Sequence, residues 1–484
     1  MTNYLSLLIC AAALCFSSVV YAQLDLSLED AIQWAIRDNP NVKRSRLNYT
    51  LQDASLKTAE WQFKPHYTLQ ADGTIAKTKT GDQSNTTHTY DFQPSVSLLT
   101  PIGTQLTLSE TNNLFTSNQM GLSLQIMQPL LRGFGRPIVE AALYNARDSE
   151  KIARLQIEAA LRNTITSVIN AYLDVIIAKN TLHIDEEAVK RAEQSVTQTA
   201  LFIKAGRKAG NELVIVKANA ASAKAKVETD KALLKQSGYT LLTAIGINPN
   251  IDARFPTENI TQLTQKYTTP DQEETKKQTL ENDIQYQIDH ITLHGTTKRA
   301  LQSAENNLRW QLNFNANLAT GSGLSGQQNA GGIQGLLNGQ NQVEGFSLTL
   351  QIPLNDQQSK QALLSAKIAL QEAEMALQQE KWEKETQAIN NWNNLESAQR
   401  GLEFALQAED LQQKTYHLSF QKYLHGLIDS LELQSAQMQL IQAEQAAVQS
   451  RVSYLKSLVN IDFLIGHTLK TWGVKIRLGE KANE

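Results

Sequence analysis

Two histidines have the spacing that comes closest to a metal site in this sequence. His290 and His294 are four residues apart in a predicted helix, so both imidazoles would lie on one helix face. No glutamate follows His290 to complete an H-E-x-x-H pattern, and no third ligand accompanies the pair. The pattern favours a solvated helix face, and we predict no metal ion.

A glycine-rich stretch contains the spacing of a dinucleotide-binding loop. Gly321, Gly323 and Gly326 give G-x-G-x-x-G directly after a predicted strand. A dinucleotide site also needs a helix that begins at this loop, whereas residues 327–345 are rich in Gly, Asn and Gln. The stretch is therefore predicted to be a surface loop, and we expect no cofactor.

Other signs of catalytic chemistry are missing from the sequence. Lys204, Arg207 and Lys208 could bind acidic groups, although a solvated turn is the more common role of such a cluster. No G-x-S-x-G, P-loop or catalytic carboxylate pair is recognisable. We predict that the protein is not an enzyme.

The first 22 residues have the character of a secretory signal peptide. They carry no charged side chain, include an apolar run from Tyr4 to Phe16, and end in Val20-Tyr21-Ala22. The apolar run is too short to span a bilayer. The only cysteines, Cys10 and Cys15, lie in this segment, so the mature chain would have neither disulfides nor thiolate metal sites.

Charge and hydropathy exclude two further classes of protein. The 484 residues include 45 Lys and Arg against 48 Asp and Glu, a net charge of −3, so the chain lacks the basic surface expected of a nucleic-acid-binding protein. Its mean hydropathy of −0.34 is too low for a protein that crosses a membrane many times as helices.

Long helices alternate with short groups of strands along the mature chain. The strands show a period of two, with apolar and polar residues on opposite faces, and the helices have coiled-coil spacing. The predicted order is a first repeat at 23–250, a connector at 251–278, a second repeat at 279–466 and a C-terminal tail at 467–484. Within the repeats we predict strands at 65–77, 92–127, 310–319 and 345–353, long helices at 137–203 and 355–424, and shorter helices at 26–62, 211–246, 279–309 and 427–465.

The two repeats also match at the level of single residues. The segment that starts at Gly121 parallels the one at Gly345, an offset of 224, and Gly206 parallels Gly426, an offset of 220. This pattern predicts an internal two-fold duplication.

Strands with one apolar face in a secreted chain are typical of an outer-membrane β-barrel. Two clear strands in each half are too few to close a barrel, and an open sheet edge cannot face lipid. Several chains would therefore have to share one barrel.

Three segments resemble the TolC-like outer-membrane efflux protein family. They are residues 26–42 (LSLEDAIQWAIRDNPNV), residues 128–137 (QPLLRGFGRP) and the two helix tips centred on Gly206 and Gly426. The resemblance implies a homotrimer in the bacterial outer membrane, with a shared transmembrane β-barrel joined to a long antiparallel α-helical coiled-coil barrel in the periplasm. It also implies a periplasmic adaptor protein and an inner-membrane pump, driven by protons or ATP, for efflux or type I secretion.

The resemblance also implies aperture residues at the tips, although this sequence matches only some of the family's set. Tyr423, Glu432 and Glu212 stand where the family pattern has a tyrosine and acids, whereas Ile428 and Ser435 replace a basic and an acidic residue. Three copies of Glu432 or Glu212 would form a carboxylate ring that favours cations. Alternatively, both glutamates only stabilise the first turn of a helix.

Two alternatives remain open at this stage. The first half has four alternating segments where the family pattern needs two, so residues 92–108 either enter the barrel or decorate it. The rival function is a secreted coiled-coil stalk or adhesin with no transport activity. The sequence decides neither the exported cargo nor the class of pump.

Overall fold

The computed structural model describes residues 24–110, 121–251, 253–255, 263–267, 269–321 and 342–476. The predicted signal peptide, residues 322–326 of the glycine-rich stretch and the end of the predicted tail lie outside the described residues. The chain divides into two compact units. The helical unit comprises Met1–Arg44, Glu158–Asp283 and Lys384–Ile476, and the sheet unit comprises Ser45–Ile157, Ile284–Glu383 and Arg477–Glu484.

The helices and strands follow one another in a simple order. They are β1 (Leu24–Asp25), α1 (Leu28–Asp38), α2 (Pro40–Trp61), β2 (His66–Thr80), β3 (Gln83–Leu99), β4 (Gln105–Glu110), β5 (Gly121–Pro129), α3 (Arg136–Val139), α4 (Ala141–Lys204), α5 (Asn211–Ile245), β6 (Ala253–Arg254), α6 (Gln272–Asn282), α7 (Ile284–Thr292), a π-helical turn (Leu293–Thr297), α8 (Lys298–Asn307), β7 (Gln311–Gly321), β8 (Gln342–Gln351), α9 (Gln357–Leu424), α10 (Ser430–Leu464) and α11 (Thr468–Thr471).

The helix predicted at 26–62 is two helices that meet at Asn39. Ser27 caps α1 by accepting a hydrogen bond from the Asp30 backbone N–H at 3.2 Å. Pro40 disfavours helical backbone angles at Asn39 and begins α2, a position where its missing N–H costs nothing. The Asn39 side chain donates to the carbonyl of Ala244, at 2.8 Å, which ties this junction to the end of α5.

The helical unit has its core between α4, α5 and α10. On α4, the buried side chains include Ile165, Ile169, Tyr172 and Ile176, which recur at steps of four, three and four residues. Ion pairs between helices flank the core, including Lys456–Asp174 at 2.6 Å and Arg191–Glu444 at 3.1 Å. The 68-residue helix α9 differs, because only Ala388, Leu395 and Tyr423 are buried along it.

The helix predicted at 279–309 begins earlier and is interrupted. It starts at Gln272, breaks at Asp283, and passes through the π-helical turn at Gly295. At Gly295 a Cβ atom would collide with the carboxylate of Asp148, which is ion-paired with Arg299. Glycine is therefore required at this close approach.

Six strands of the sheet unit form one antiparallel sheet in the order β2-β3-β4-β5-β7-β8. The first two strands are longer than predicted. The β2–β3 hairpin continues through residues 78–91, which lie between the predicted strands at 65–77 and 92–127, and it turns at Gly81 and Asp82. The sheet includes β4, so residues 92–108 belong to it. A separate parallel pair, β1 with β6, lies in the helical unit.

The sheet has two chemically different faces. Its register places Tyr67, Val96, Leu108, Leu124 and Leu318 side by side across five strands. On the opposite face the same register aligns serine, threonine, glutamine and asparagine residues. The apolar face carries large exposed side chains, with Tyr67 at 80% and Phe346 at 74%. On the polar face, exposure ranges from Ser123 at 5% to the exposed Gln125 and Asn317.

No described helix is both long and apolar enough to cross a membrane.

Candidate functional site

The two helix tips end in the same hydrogen-bonded turn. At the end of α4, the Arg207 N–H donates to the Phe202 carbonyl at 2.8 Å, and the Gly206 N–H donates to Ile203 at 2.9 Å. At the end of α9, Leu427 donates to Lys422 at 2.9 Å and Gly426 to Tyr423 at 3.0 Å. Both glycines have positive φ, +70° and +74°, as this Schellman turn requires.

Tyr423 does not point towards solvent from its tip but packs into the helical unit. Its side chain is fully buried, and its hydroxyl lies 2.5 Å from Thr199 Oγ1 on α4. Thr199 Oγ1 donates its own hydrogen to the Ser195 carbonyl at 2.6 Å, so the tyrosine is the donor to the threonine. This bond holds the end of α9 against α4.

Lys208 and Glu212 complete a group of side chains that we call the tip cluster: Thr199, Phe202, Lys208, Glu212 and Tyr423. The Lys208 ammonium lies 4.1 Å from the centre of the Tyr423 ring and 2.8 Å from Glu212 Oε2. Its side chain is only 8% exposed. The ammonium therefore combines a cation–π contact with a largely shielded ion pair.

The basic cluster predicted near this tip thus has members with different roles. Lys208 is engaged inside the chain, and the Arg207 guanidinium lies 5.7 Å from the centre of the Phe202 ring. From the sequence, Lys208 was interpreted as part of a solvated turn, whereas its side chain is shielded in the structure. Its spacing of four from Glu212 was the available signal.

Glu432, at the second tip, is exposed in the first turn of α10. Its backbone N–H donates to Asp429 Oδ1 at 2.8 Å, because Asp429 caps this helix. Ser435 is also exposed, and Ile428 is partly buried. Glu212 and Glu432 therefore occupy matching first-turn positions, but Glu212 has Lys208 as its partner.

A second polar cluster, not predicted from the sequence, lies between α4, α5 and α10. Asp185 and Asp230 are 4% and 1% exposed, and Lys226 forms an ion pair with Asp230 at 2.7 Å. Gln445 Nε2 lies 3.3 Å from both Asp185 oxygens. A groove of about 330 Å³ passes this cluster, lined also by Asn219, Gln434 and Gln437.

Burial and the neighbouring Asp230 carboxyl raise the pKa of Asp185 to about 7, against the opposing effect of Lys226 and Arg191. Asp230 Oδ2 is buried and has no hydrogen-bond partner among the described residues. The raised pKa keeps a proton on Asp185 up to near neutral pH, which spares the pair two adjacent buried charges. The position of Asp230 in the sequence could have revealed this cluster, because Asp230 is buried on α5 together with Val227 and Leu241.

The histidine pair lies where α7 meets the π-helical turn. The His290 and His294 rings lie 4.3 Å apart, and the Lys298 ammonium is 2.9 Å from His294 Nδ1, where it occupies that nitrogen. Across the described ranges, no three His, Cys, Asp or Glu side chains converge as metal ligands do.

The fold is shared with solved outer-membrane channels. CmeC of Campylobacter jejuni aligns with a TM-score of 0.64 at 14% identity, covering 91% of this chain and 86% of that chain. CusC aligns with a TM-score of 0.68 at 14% identity, covering 90% and 91%. The open state of MtrE from Neisseria gonorrhoeae gives 0.66 at 16%, covering 91% and 89%.

No curated protein sequence matches this chain. The sequence profile of the outer membrane efflux proteins, however, matches residues 31–247 and 296–467, most of the chain. The chain therefore belongs to the outer membrane efflux protein family.

Proposed function

We propose that this protein is the outer-membrane channel of a tripartite export system. The observation that carries the proposal is the sheet whose apolar face is exposed, with Tyr67, Phe346 and Leu348 at 80%, 74% and 64%. In water such a face is costly, whereas in a bilayer it is the face that contacts lipid. Membership in a family of efflux proteins agrees with this reading.

The channel is proposed to be a homotrimer. The sheet leaves β2 and β8 as open edges, and neighbouring chains would satisfy their backbone groups. On α9, Phe404, Leu411 and Leu418 recur every seven residues and are 62–66% exposed. A heptad of exposed apolar residues is the seam of a coiled coil whose partner is another chain.

Its other partners are proposed from the family. A periplasmic adaptor protein and an inner-membrane pump, driven by protons or ATP, would deliver small molecules or secreted polypeptides to the channel.

The helix tips are proposed as the periplasmic aperture and the adaptor-docking end. Helices α4 and α9, of 64 and 68 residues, end at Gly206 and Gly426, so each tip lies about 100 Å of helix from its beginning. Tyr423 would act by fixing α9 to α4 rather than by entering the pore. Of the two acids, the exposed Glu432 is the better candidate for a carboxylate ring.

The two halves are further proposed to be copies of one ancestral unit. Helices α5 and α10 both have 35 residues. The glycines that end α5 and α10, Gly246 and Gly466, both have positive φ and are separated by the same 220 residues as Gly206 and Gly426.

A deletion strain tests the function. Loss of the gene should increase sensitivity to exported compounds or abolish secretion of a substrate, and the intact gene should restore both. In the complemented strain, Glu432→Gln should alter export, and in planar bilayers the purified variant should show weaker cation selectivity.

Glu403→Gln is the matched control, because it removes the same charge from an exposed position of α9 far from the tip. Equal behaviour of the two variants would reject the aperture role of Glu432. Unchanged sensitivity and secretion in a strain without related channels, together with release of the protein by osmotic shock, would favour the stalk or adhesin. That rival leaves the exposed apolar sheet face without a purpose.

A further inference from the structure

The additional segment of the first half, residues 92–108, contributes to β3 and β4, which lie between β2 and β5 in the sheet. The family resemblance implies two strands from each half, whereas the first half here supplies β2, β3, β4 and β5. Strand β3 is hydrogen-bonded to both β2 and β4, and β4 to both β3 and β5. If β3 and β4 only decorated the barrel, β2 would have no neighbour in it, because β2 is joined to the rest of the sheet only through these two strands.

The two faces of the sheet continue across these inserted strands. Val96 on β3 and Leu108 on β4 stand in one row with Leu124 and Leu318. On the other face, Ser97 and Thr107 stand in one row with Gln125 and Asn317. Up to Leu108 the inserted strands thus have the same alternation as β5 and β7, which is what a wall between lipid and water requires. The exception is Glu110 at the end of β4, which shares the row of Leu122 and is buried.

The direction of the edge strands suits closure with copies of this chain. Every neighbouring pair in the sheet is antiparallel, so β2 and β8 run in opposite directions. Strand β8 of one chain can therefore pair antiparallel with β2 of the next, and all edges disappear.

We infer that each chain contributes six strands and that three chains close an eighteen-stranded barrel. This inference rests on the proposed trimeric channel. Because barrel diameter increases roughly in proportion to strand number, the barrel would be about half as wide again as one with four strands per chain. Its inner wall would carry mostly hydroxyl and amide groups, so it would pass bulky polar solutes of either charge.

Spin labels on paired positions test the inference in the full-length protein in liposomes. Leu108→Cys and Thr107→Cys report the two faces of β4, and Leu348→Cys and Thr349→Cys report the same faces of β8. The only native cysteines are Cys10 and Cys15, and the unsubstituted protein gives their background. Oxygen concentrates in lipid, so it should relax the labels at 108 and 348 several-fold more than a water-soluble nickel chelate does. At 107 and 349 the nickel chelate should have the larger effect.

The outcomes separate this inference from the proposed function. If 348 and 349 alternate while 107 and 108 are both exposed to nickel, the inserted hairpin lies outside the barrel and only the inference fails. If neither pair alternates, the membrane channel itself is rejected. Alternation at both pairs in a particle that sediments as anything other than a trimer would contradict the count of eighteen.

Discussion

Asp185 and Asp230 are two carboxyl groups buried together where the helices of the helical unit meet. Asp230 is 1% exposed, and its single described cation partner is Lys226. A proton on Asp185 lets both groups stay buried, because a neutral carboxyl removes the repulsion between two adjacent charges. The pair thus makes the packing of α4 against α5 depend on protonation.

Stability should therefore fall as pH rises through the pKa of Asp185. Since that pKa is raised from 3.8 to about 7 in the folded protein, the folded state holds the proton more tightly than the unfolded chain between these values. The loss is at most about 1.4 kcal/mol per pH unit. Asp185→Asn should flatten this dependence and raise the apparent melting temperature at pH 8, because the amide donates to Asp230 without a charge.

Helical circular dichroism in detergent, followed against temperature from pH 5 to pH 8.5, measures the effect. Asp410→Asn is the control, since this exposed aspartate on α9 is paired only with Lys414 at the surface. A pH dependence in Asp185→Asn that is as steep as in the parent, or steeper, would contradict the protonation of Asp185 in the folded state.

Several helices end at a glycine with positive φ, and these glycines differ in how closely other atoms surround them. Gly246 and Gly426 both end a helix with positive φ, +91° and +74°. Around Gly426 no described atom lies within 4 Å of a built Cβ, whereas at Gly246 that Cβ would be 2.8 Å from both Asn39 Cα and Pro40 Cδ. Gly426 therefore meets a backbone requirement only, whereas Gly246 also meets a packing requirement.

Alanine at these two positions should separate the two costs. Gly426→Ala should destabilise by about 1–2 kcal/mol, the price of a left-handed backbone for an L-residue. Gly246→Ala should lose a further amount of about 1–3 kcal/mol, because the junction of α1 and α2 must shift. Apparent melting temperatures measured by circular dichroism compare the variants. If Gly246→Ala is as stable as Gly426→Ala, the junction of α1 and α2 accommodates the methyl group without cost.

The elements also show where sequence patterns stop being informative. Helices α4 and α9 end at Lys204 and Leu424, close to the glycines at 206 and 426 that marked their predicted ends. Residues 138–205 contain neither glycine nor proline, and residues 355–425 contain no proline and a single glycine, Gly401, so a glycine after such a run is a strong local signal. The continuation of β2 and β3 through 78–89 was missed, since its alternating residues are nearly all polar and no apolar period exists. The Gly81-Asp82 pair was the turn signal that could have identified the hairpin.

At the scale of the whole molecule, the family was predictable but several contacts were not. Segments such as 128–137 carry the resemblance within short windows. The bond from Tyr423 to Thr199 joins residues 224 apart, and the Asp185–Asp230 pair joins separate helices. Local spacing contains no information on which faces of two helices meet, so these clusters required the structure.

The sparse burial along α9 leads to the last prediction. Phe404, Leu411 and Leu418 form an exposed seam, and contact with another chain would remove it from water. Leu411→Glu should then place a charge in that contact and dissociate the trimer at concentrations where the parent is intact. Gln413→Glu adds the same charge to an exposed position two residues along, about 200° around the helix, and should leave assembly unchanged. Sedimentation velocity in density-matched detergent measures the oligomer. A parent protein that sediments as a monomer would refute the trimer, and a Leu411→Glu trimer as tight as the parent would place the contact on another face of α9.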